Sequence, residues 1–315
     1  MARSRRRVVA VGDAIVDLVT PPLADLRPCD SQREVSGVSI LPGGNATNFS
    51  LQIGTLGIPT TLVACVGSDA FADVLRKAYK AAHVDARLRV DPAKPTGTTV
   101  ALSWSNGGRA LITALGANAG LRERDVSARL LESADHVHRA GFWWTPGLLG
   151  APTARILRRA HRAKATTSMD TSTDPRGWSL KRVEAVRSCL PHVDTFFGNE
   201  TEVCALAGLR SPLDAAQRLL DLGAGEVVLH RGAEGAAWVR GGKVVRSPAF
   251  RGRVDNPTGC GDVFNAGYVF AKLSGAPVSE ALGFGNACAA LHLSDRATPY
   301  PDLAHLRRFF RRGSR

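Results

Sequence analysis

Strands and helices alternate without a break through the second half of the chain. Apolar segments at 136–140, 167–170, 195–198 and 226–230 have the length and composition of short buried strands. Helical apolar spacing fills the gaps between them, at 153–165, around 180–189, at 200–208 and at 213–222. Strands that alternate with helices are joined by crossovers, so they pair in parallel and both faces of the sheet are covered. The first half starts the same way. A short strand at 8–11 precedes a helix carrying Ala46, Phe49, Ile53 and Leu56, then a strand at 60–66 and a helix at 71–82. An α/β chain with a mainly parallel sheet is the expectation.

Two stretches break the alternation. Residues 14–42 and 96–114 are β-rich with no helices between, and Asn106-Gly107-Gly108 reads as a hairpin turn between strands at 98–103 and 110–114. Either they form a small antiparallel sheet inserted as a lid, or they are ordinary edge strands of the main sheet. No internal repeat or low-complexity linker divides the chain, so residues 1–315 are expected to form a single domain with that elaboration.

The net charge of +13 invites a nucleic-acid or membrane reading until it is located. Arg3, Arg5, Arg6 and Arg7 at one end and Arg307, Arg308, Arg311, Arg312 and Arg315 at the other account for nine of the thirteen charges. The body is left nearly balanced, and no nucleic-acid partner is expected. No apolar run approaches the roughly 20 residues of a membrane span, so no membrane partner is expected either. The basic start leads into an apolar stretch too short for a secretory signal. The six cysteines are scattered without a CxxC pair. That argues against structural zinc and disulfides and for a reducing, cytoplasmic location.

One local pattern carries chemistry. Asn256-Pro257-Thr258-Gly259-Cys260-Gly261-Asp262 leads into a helical stripe of Val263, Ala266, Phe270 and Leu273. Free N–H groups and the positive dipole end collect at such a helix start, and Gly259 and Gly261 let a phosphate come close to the backbone. Asp262, in the first turn, can take a proton from an attacking hydroxyl, or it can simply cap the helix. A second glycine pair, Gly43-Gly44, feeds the helix that holds Asn48, whose amide both donates and accepts. Asp17, just past the first strand, is the type of group that grips paired hydroxyls. Neither GxxxxGK[ST] nor, after the first strand, GxGxxG occurs, which argues against P-loop and hydride-transfer chemistry.

Taken together, the sequence resembles the PfkB (ribokinase-like) carbohydrate kinases over most of its length. Gly43, Gly44, Ala46, Asn48, Ser50, Gly57 and Gly67 fit that family's first signature. Asn256, Pro257, Gly259, Gly261, Asp262, Ala266 and Gly267 fit its second, with Cys260 in place of the usual smaller residue. Asn199-Glu200-Thr201-Glu202 is similar to the family's NxxE element, and Arg231 to Gly235 to its nucleotide-side turn. The resemblance implies a three-layer α/β/α core with a small β-sheet lid. It also implies an ATP- and Mg²⁺-dependent transfer of the γ-phosphoryl group to a sugar hydroxymethyl group. Asp262 resembles the catalytic base, and the amides of Gly259, Cys260 and Gly261 the anion hole. Asp17, Gly43, Gly44 and Asn48 resemble the sugar-binding set. Asn199, Arg231, Gly232, Gly235 and Asn286 resemble the ATP side, and Glu202 a group that holds Mg²⁺ through water. A monovalent cation activates part of the family, and Asp255 and Asn256 lie near where it would sit.

The acceptor stays open. Ile15 and Asn45 stand where ribokinases usually present an Asn and a Lys, which argues against ribose in particular. Arg109 in the lid hairpin is a candidate for an acidic acceptor group or a solvated turn residue. Trp143 and Trp144 are candidates for ring stacking or for core packing. A nucleoside kinase of the same fold is the enzyme alternative, and a non-catalytic nucleic-acid binder driven by the terminal arginines is the distant one. The expected partners are ATP, a small sugar or nucleoside, and a second copy of the chain docked through the lid.

Overall fold

A computed structural model describes residues 6–24, 32–105, 108–252, 254–255 and 257–313. The turn at Asn106-Gly107, Cys29, Asn256 and the outermost arginines of both ends lie outside them. The chain opens with β1 (Val8–Val11), β2 (Ile15–Val19) and β3 (Ser39–Gly43), then α1 (Asn45–Thr55), β4 (Thr60–Val66) and α2 (Ala70–Ala81). Next come β5 (Val84–Val90), β6 (Gly97–Ser103), β7 (Arg109–Ala114), α3 (Ala128–Glu132), β8 (His136–Arg139), α4 (Ala151–Arg162) and β9 (Thr166–Asp170). Then α5 (Leu180–Arg187), β10 (Thr195–Asn199), α6 (Glu200–Ala207), α7 (Pro212–Asp221), β11 (Glu226–His230), β12 (Ala236–Arg240) and β13 (Lys243–Ser247) follow. The described chain ends in α8 (Cys260–Leu273), α9 (Val278–Ser294) and α10 (Leu303–Gly313).

Nine strands form the main sheet in the order β13-β12-β11-β10-β9-β8-β1-β4-β5. All neighbours from β11 to β5 pair in parallel, and only β12 and β13 turn back antiparallel at one edge. Successive side chains of a strand point to opposite faces, and the burial follows that rule. Val8, Ala10, Leu62, Ala64, Phe197 and Val228 join a core with α1, α8 and α9. Their sequence neighbours Val9, Val11, Val63, Cys65, Phe196 and Val227 join a second core with α4, α6 and α7 on the other face. Helices on both faces of a parallel sheet give the expected three layers.

Strands β2, β3, β6 and β7, drawn from the segments at 14–42 and 96–114, form a separate four-stranded sheet, ordered β3-β2-β6-β7. This decides for the lid over the edge-strand alternative, with one correction. The central pair β2–β6 is parallel, and only the outer pairs are antiparallel. The arginine-rich C-terminal stretch is also not a bare tail, because Arg307, Arg308 and Arg311 ride on α10. That helix seats Leu306, Phe309 and Phe310 against the core beside α9. Among the described residues, no helix is long and apolar enough to cross a membrane, and the five described cysteines are free thiols.

The winding order fixes where a ligand can sit. From β1 the chain moves outward through β4 to β5, then returns to β8 on the other side of β1 and continues to β11. Strand order thus reverses between β1 and β8, and open α/β sheets bind ligands beyond the carboxyl ends of strands at such a point.

Candidate active site

A cavity of about 440 Å³ opens beyond the carboxyl ends of β1, β9, β10 and β11. Its floor includes Asp13, Asp170, Asn199 and His230, each at or just past a strand end, and its roof is the lid, through Ile15, Asp17, Thr99, Arg109 and Thr113. The wall is the loop 257–262 at the start of α8. The lid is drawn down onto that wall, since Arg109 Nη1 donates to Thr258 Oγ1 at 3.1 Å.

Asp262 is 4% exposed and does not cap its own helix. The N-cap of α8 is Gly259, and the Asp262 carboxylate turns instead to α1, accepting from Asn45 Nδ2 at 3.1 Å and Asn48 Nδ2 at 3.0 Å. Burial holds its carboxyl well above the usual range, with the nearby Asp170 charge adding to the effect and the two amides opposing it. A raised carboxyl that is still hydrogen-bonded suits a proton acceptor working near neutral pH.

The glycines earn their positions by geometry. Gly259 has φ +84°, and a Cβ there would stand 2.6 Å from Asn48 Nδ2, so a side chain would break the Asn48–Asp262 contact. Gly43 faces Asp17 so closely that a Cβ would overlap its carboxylate. The early glycine signature and Asp17 are therefore one packed unit. The first N–H groups of the 14-residue α8, at Cys260 and Gly261, have no partner within the helix and line the cavity.

Acid groups crowd the floor. Burial, then the charge of Asp13, pushes Asp17 up to about 7, against the Thr99 hydroxyl and Arg109. Burial and the charge of Asp170 likewise push Glu202 up to about 7. Asn199 and Glu202 form a capping box at the start of α6, each side chain accepting the other's backbone N–H at 2.9 Å, and Thr173 Oγ1 donates to Glu202 at 2.9 Å. Carboxylates raised by mutual repulsion are a natural place for a cation. Among the described residues no three His, Cys, Asp or Glu converge on one metal position. The donor set therefore fits Mg²⁺ that keeps most of its waters.

The structure brings Asp17, Gly44, Asn48, Asn199, Glu202, Gly232 and residues 259–262 together around this one cavity, with Gly43 packed beneath Asp17. Arg231, Gly235 and Asn286 do not line it. Arg231 is ion-paired with Glu200 and Glu234. Gly235 and Asn286 meet at the segment 247–249, where Asn286 Nδ2 donates to the carbonyls of Ser247 and Pro248 at 3.0 Å. Trp143 is core, donating Nε1 to Ser172 O at 2.9 Å, whereas Trp144 lines the cavity. Asp255 is held by Arg296, whose Nη2 donates to its carbonyl at 3.0 Å, and its neighbour Asn256 is outside the described residues.

Sequence reasoning missed Asp13 and Asp170. Asp13 Oδ1 accepts the Ala46 N–H at 2.9 Å and so fixes the start of α1 from a different strand. Asp170 accepts from Asn265 Nδ2 at 2.7 Å, and the Asn265 oxygen faces His230 Nε2 at 2.9 Å. Burial lowers the pKa of His230, against the Asp170 charge and the Asn265 hydrogen bond. The signal available was position, since both acids stand at the carboxyl ends of buried strands.

Comparison with known proteins shows the family and the fold. The profile of the pfkB family carbohydrate kinases matches residues 5–303. A 2-dehydro-3-deoxygluconokinase of Thermoproteus tenax is 31% identical over 90% of this chain and 87% of its own. A nucleoside kinase of Methanothermobacter thermautotrophicus is 27% identical over 93% and 91%. In fold, a structure from E. coli under the name ribokinase II, solved with ATP and Mg²⁺, superimposes with a TM-score of 0.85. It is 23% identical and covers 98% of this chain and 99% of that one.

The raised carboxyls predict a pH signature. Asp17 titrates near 7 in the fold and near 4 unfolded, so its contribution to stability is complete below about pH 4 and is lost as pH rises through 7. Without substrates, Asp17→Asn should therefore gain in melting temperature relative to the parent between pH 5 and pH 8. A difference constant across that range, followed by differential scanning fluorimetry, would contradict the burial assigned to Asp17.

Proposed function

This chain belongs to the pfkB family of carbohydrate kinases, and we propose that Asp262 is the base by which it phosphorylates a sugar hydroxymethyl group. As a member it is an ATP-dependent phosphotransferase with an alcohol acceptor. The observation that carries the assignment of roles is the pairing, on adjoining residues, of a buried carboxylate held by Asn45 and Asn48 with the open start of α8.

In this reading the acceptor lies between the lid and Asp262. Asp17 accepts from neighbouring hydroxyls, Asn48 sits alongside, and the hydroxymethyl oxygen faces the Asp262 carboxylate. The proton of that hydroxyl passes to Asp262 as the oxygen bonds to the γ-phosphorus, the bond to the β-phosphate oxygen breaks, and ADP leaves. The N–H groups of Gly259, Cys260 and Gly261 face the oxygens of the phosphoryl group in transit, where charge is greatest. Mg²⁺, when bound, neutralises phosphate charge, and Asp170, Asn199 and Glu202 are the residues that would hold it through water. The lid, pinned by Arg109 on Thr258, keeps bulk water off the phosphoryl group and so limits ATP hydrolysis. Gly232 borders the nucleotide side, with Arg231, Gly235 and Asn286 supporting the wall behind it.

Arg109 is also the one arginine or lysine among the described residues that line the cavity, opposite several carboxylates. That favours an acceptor with vicinal hydroxyls for Asp17 and, at its other end, either no charge or a single acidic group for Arg109. A sugar or sugar acid fits. A nucleoside is the second reading, supported by Trp144 in the cavity wall, whose ring could stack on a base.

The outer face of the lid supports self-association. Ile40, Leu18, Val100 and Ile112 line up across its four strands, and Ile40 and Ile112 are 52% and 64% exposed. An apolar row of this kind on an open sheet is a docking face for a second copy.

Two experiments follow. A panel of ribose, fructose, 2-dehydro-3-deoxygluconate, fructose 6-phosphate and adenosine, assayed for acceptor-dependent ADP release, should single out a sugar or sugar acid. Asp262→Asn should cut its turnover by about 10²–10⁴-fold while ATP still binds, and near-parental turnover would refute the base. For the lid, Ile112→Lys should convert a dimer to a monomer in light scattering, whereas a monomeric parent protein would rule the docking out.

A further inference from the structure

His292 and Tyr300 belong to no motif, yet both reach the active centre from behind. His292 lies in the last turn of α9 and is 2% exposed. Its Nε2 is 2.7 Å from the carbonyl of Thr258, in the anion loop, and its Nδ1 is 2.7 Å from the carbonyl of Pro299. Carbonyl oxygens only accept, so each contact calls for a ring N–H. Burial lowers the pKa of the ring, the two carbonyls oppose that shift, and the ring bridges two backbone segments. The next residue along, Tyr300, donates its hydroxyl to Asn48 Oδ1 at 2.8 Å. Asn48 in turn donates Nδ2 to Asp262 at 3.0 Å.

The donors and acceptors in this chain have only one arrangement. An ionised carboxylate can only accept, so the Asn48 NH₂ must face Asp262 and its oxygen must face Tyr300. The Tyr300 hydroxyl must then be the donor, and burial together with the Asp17 and Asp262 charges holds it protonated. The path runs from Thr258 through His292, Pro299, Tyr300 and Asn48 to Asp262, and the short backbone from Thr258 to Asp262 closes it. Gly259 borders the ring, since a Cβ there would stand 2.6 Å from Asn48 Nδ2 and 3.5 Å from His292 Nε2.

We propose that His292 and Tyr300 are positioning residues for phosphoryl transfer, locking the anion loop and the Asp262 carboxylate at a fixed separation through Asn48. The proposal rests on Asp262 being the base. Catalytic groups that act on one phosphoryl group must keep their mutual geometry within a fraction of an ångström, and neither the loop nor α1 alone sets this distance. Without the Tyr300 hydroxyl, Asn48 Oδ1 loses its buried donor and the amide is free to turn. Asp262 then loses a hydrogen bond that favours its charged form. Among the described residues, the other charged or titratable groups that face Asp262 are Asp13, Asp170 and Cys260, and His230 lies across Gly261. They are unchanged in a Tyr300→Phe variant, so any shift reports on the ring.

The test is the titration of Asp262 by ¹³C-carboxyl NMR in the full-length protein, its resonance assigned with Asp262→Asn. In Tyr300→Phe the midpoint should rise by roughly half a pH unit or more. With the acceptor found in the panel, kcat should fall about tenfold while KM for ATP stays within about twofold. His292→Gln, which keeps one donor for Thr258, should lower kcat in the same direction by less. A folded Tyr300→Phe with the parental midpoint and kcat overturns the proposal. Should Tyr300→Phe not fold, an unchanged kcat and midpoint in His292→Gln does the same. If the parent phosphorylates nothing in the panel, the acceptor reading fails, and the NMR midpoint alone then decides whether the ring exists.

Discussion

Everything at the active centre is arranged around one carboxylate taken out of water. Asp262 is buried at the start of α8, where the helix dipole favours negative charge, and it faces two side-chain amides from α1. Burial raises its affinity for a proton, while the helix start and the amides limit that rise. In the proposed reading, that balance sets how readily the same group accepts a proton during transfer. The carboxylate links two elements far apart in sequence, and Phe49, Ile53, Val263 and Ala266 join α1 and α8 in one shared core.

The acids around it extend the same logic. Asp13, Asp17, Asp170 and Glu202 come from strand ends or helix starts and converge because the sheet reverses its winding between β1 and β8. Burial makes Asp13, Asp17 and Glu202 costly to ionise. In the proposed reading, Mg²⁺ and the hydroxyls of an acceptor offset that cost on binding.

Much of this was legible in the sequence. The strand at 60–66 and the strand at 226–230 fall on the residues where β4 and β11 lie, because uninterrupted buried segments between turns have few other homes. The small-residue loop at 259–262 and the pair Gly43-Gly44 pointed to the site because Gly43, Gly44 and Gly259 serve close approaches. Other parts left no periodic trace. Nearly every side of α9 is buried, so no apolar stripe marks it, and β12 and β13 form a hairpin on an edge where the parallel rule no longer applies. Asp13 and Asp170 were missed because an acid at a strand end looks like any other until its neighbours are known. Asn199 and Glu202 carry two readings at once, since the spacing that suits a phosphate-side element is also that of a capping box. Tyr300 and His292 could not be found at all without knowing which carbonyls they meet.

The central claim is spatial: one phosphoryl group passes between the amides of residues 259–261 and an acceptor hydroxyl that faces Asp262. A crystal structure with MgADP, aluminium fluoride and the acceptor identified by assay tests it directly, since the planar fluoride stands in for the group in transit. The account predicts the fluoride within hydrogen-bonding distance of the 259–261 amides, with the acceptor oxygen in line with it and touching the Asp262 carboxylate. A fluoride bound away from that loop, or an acceptor oxygen facing another carboxylate, would contradict it.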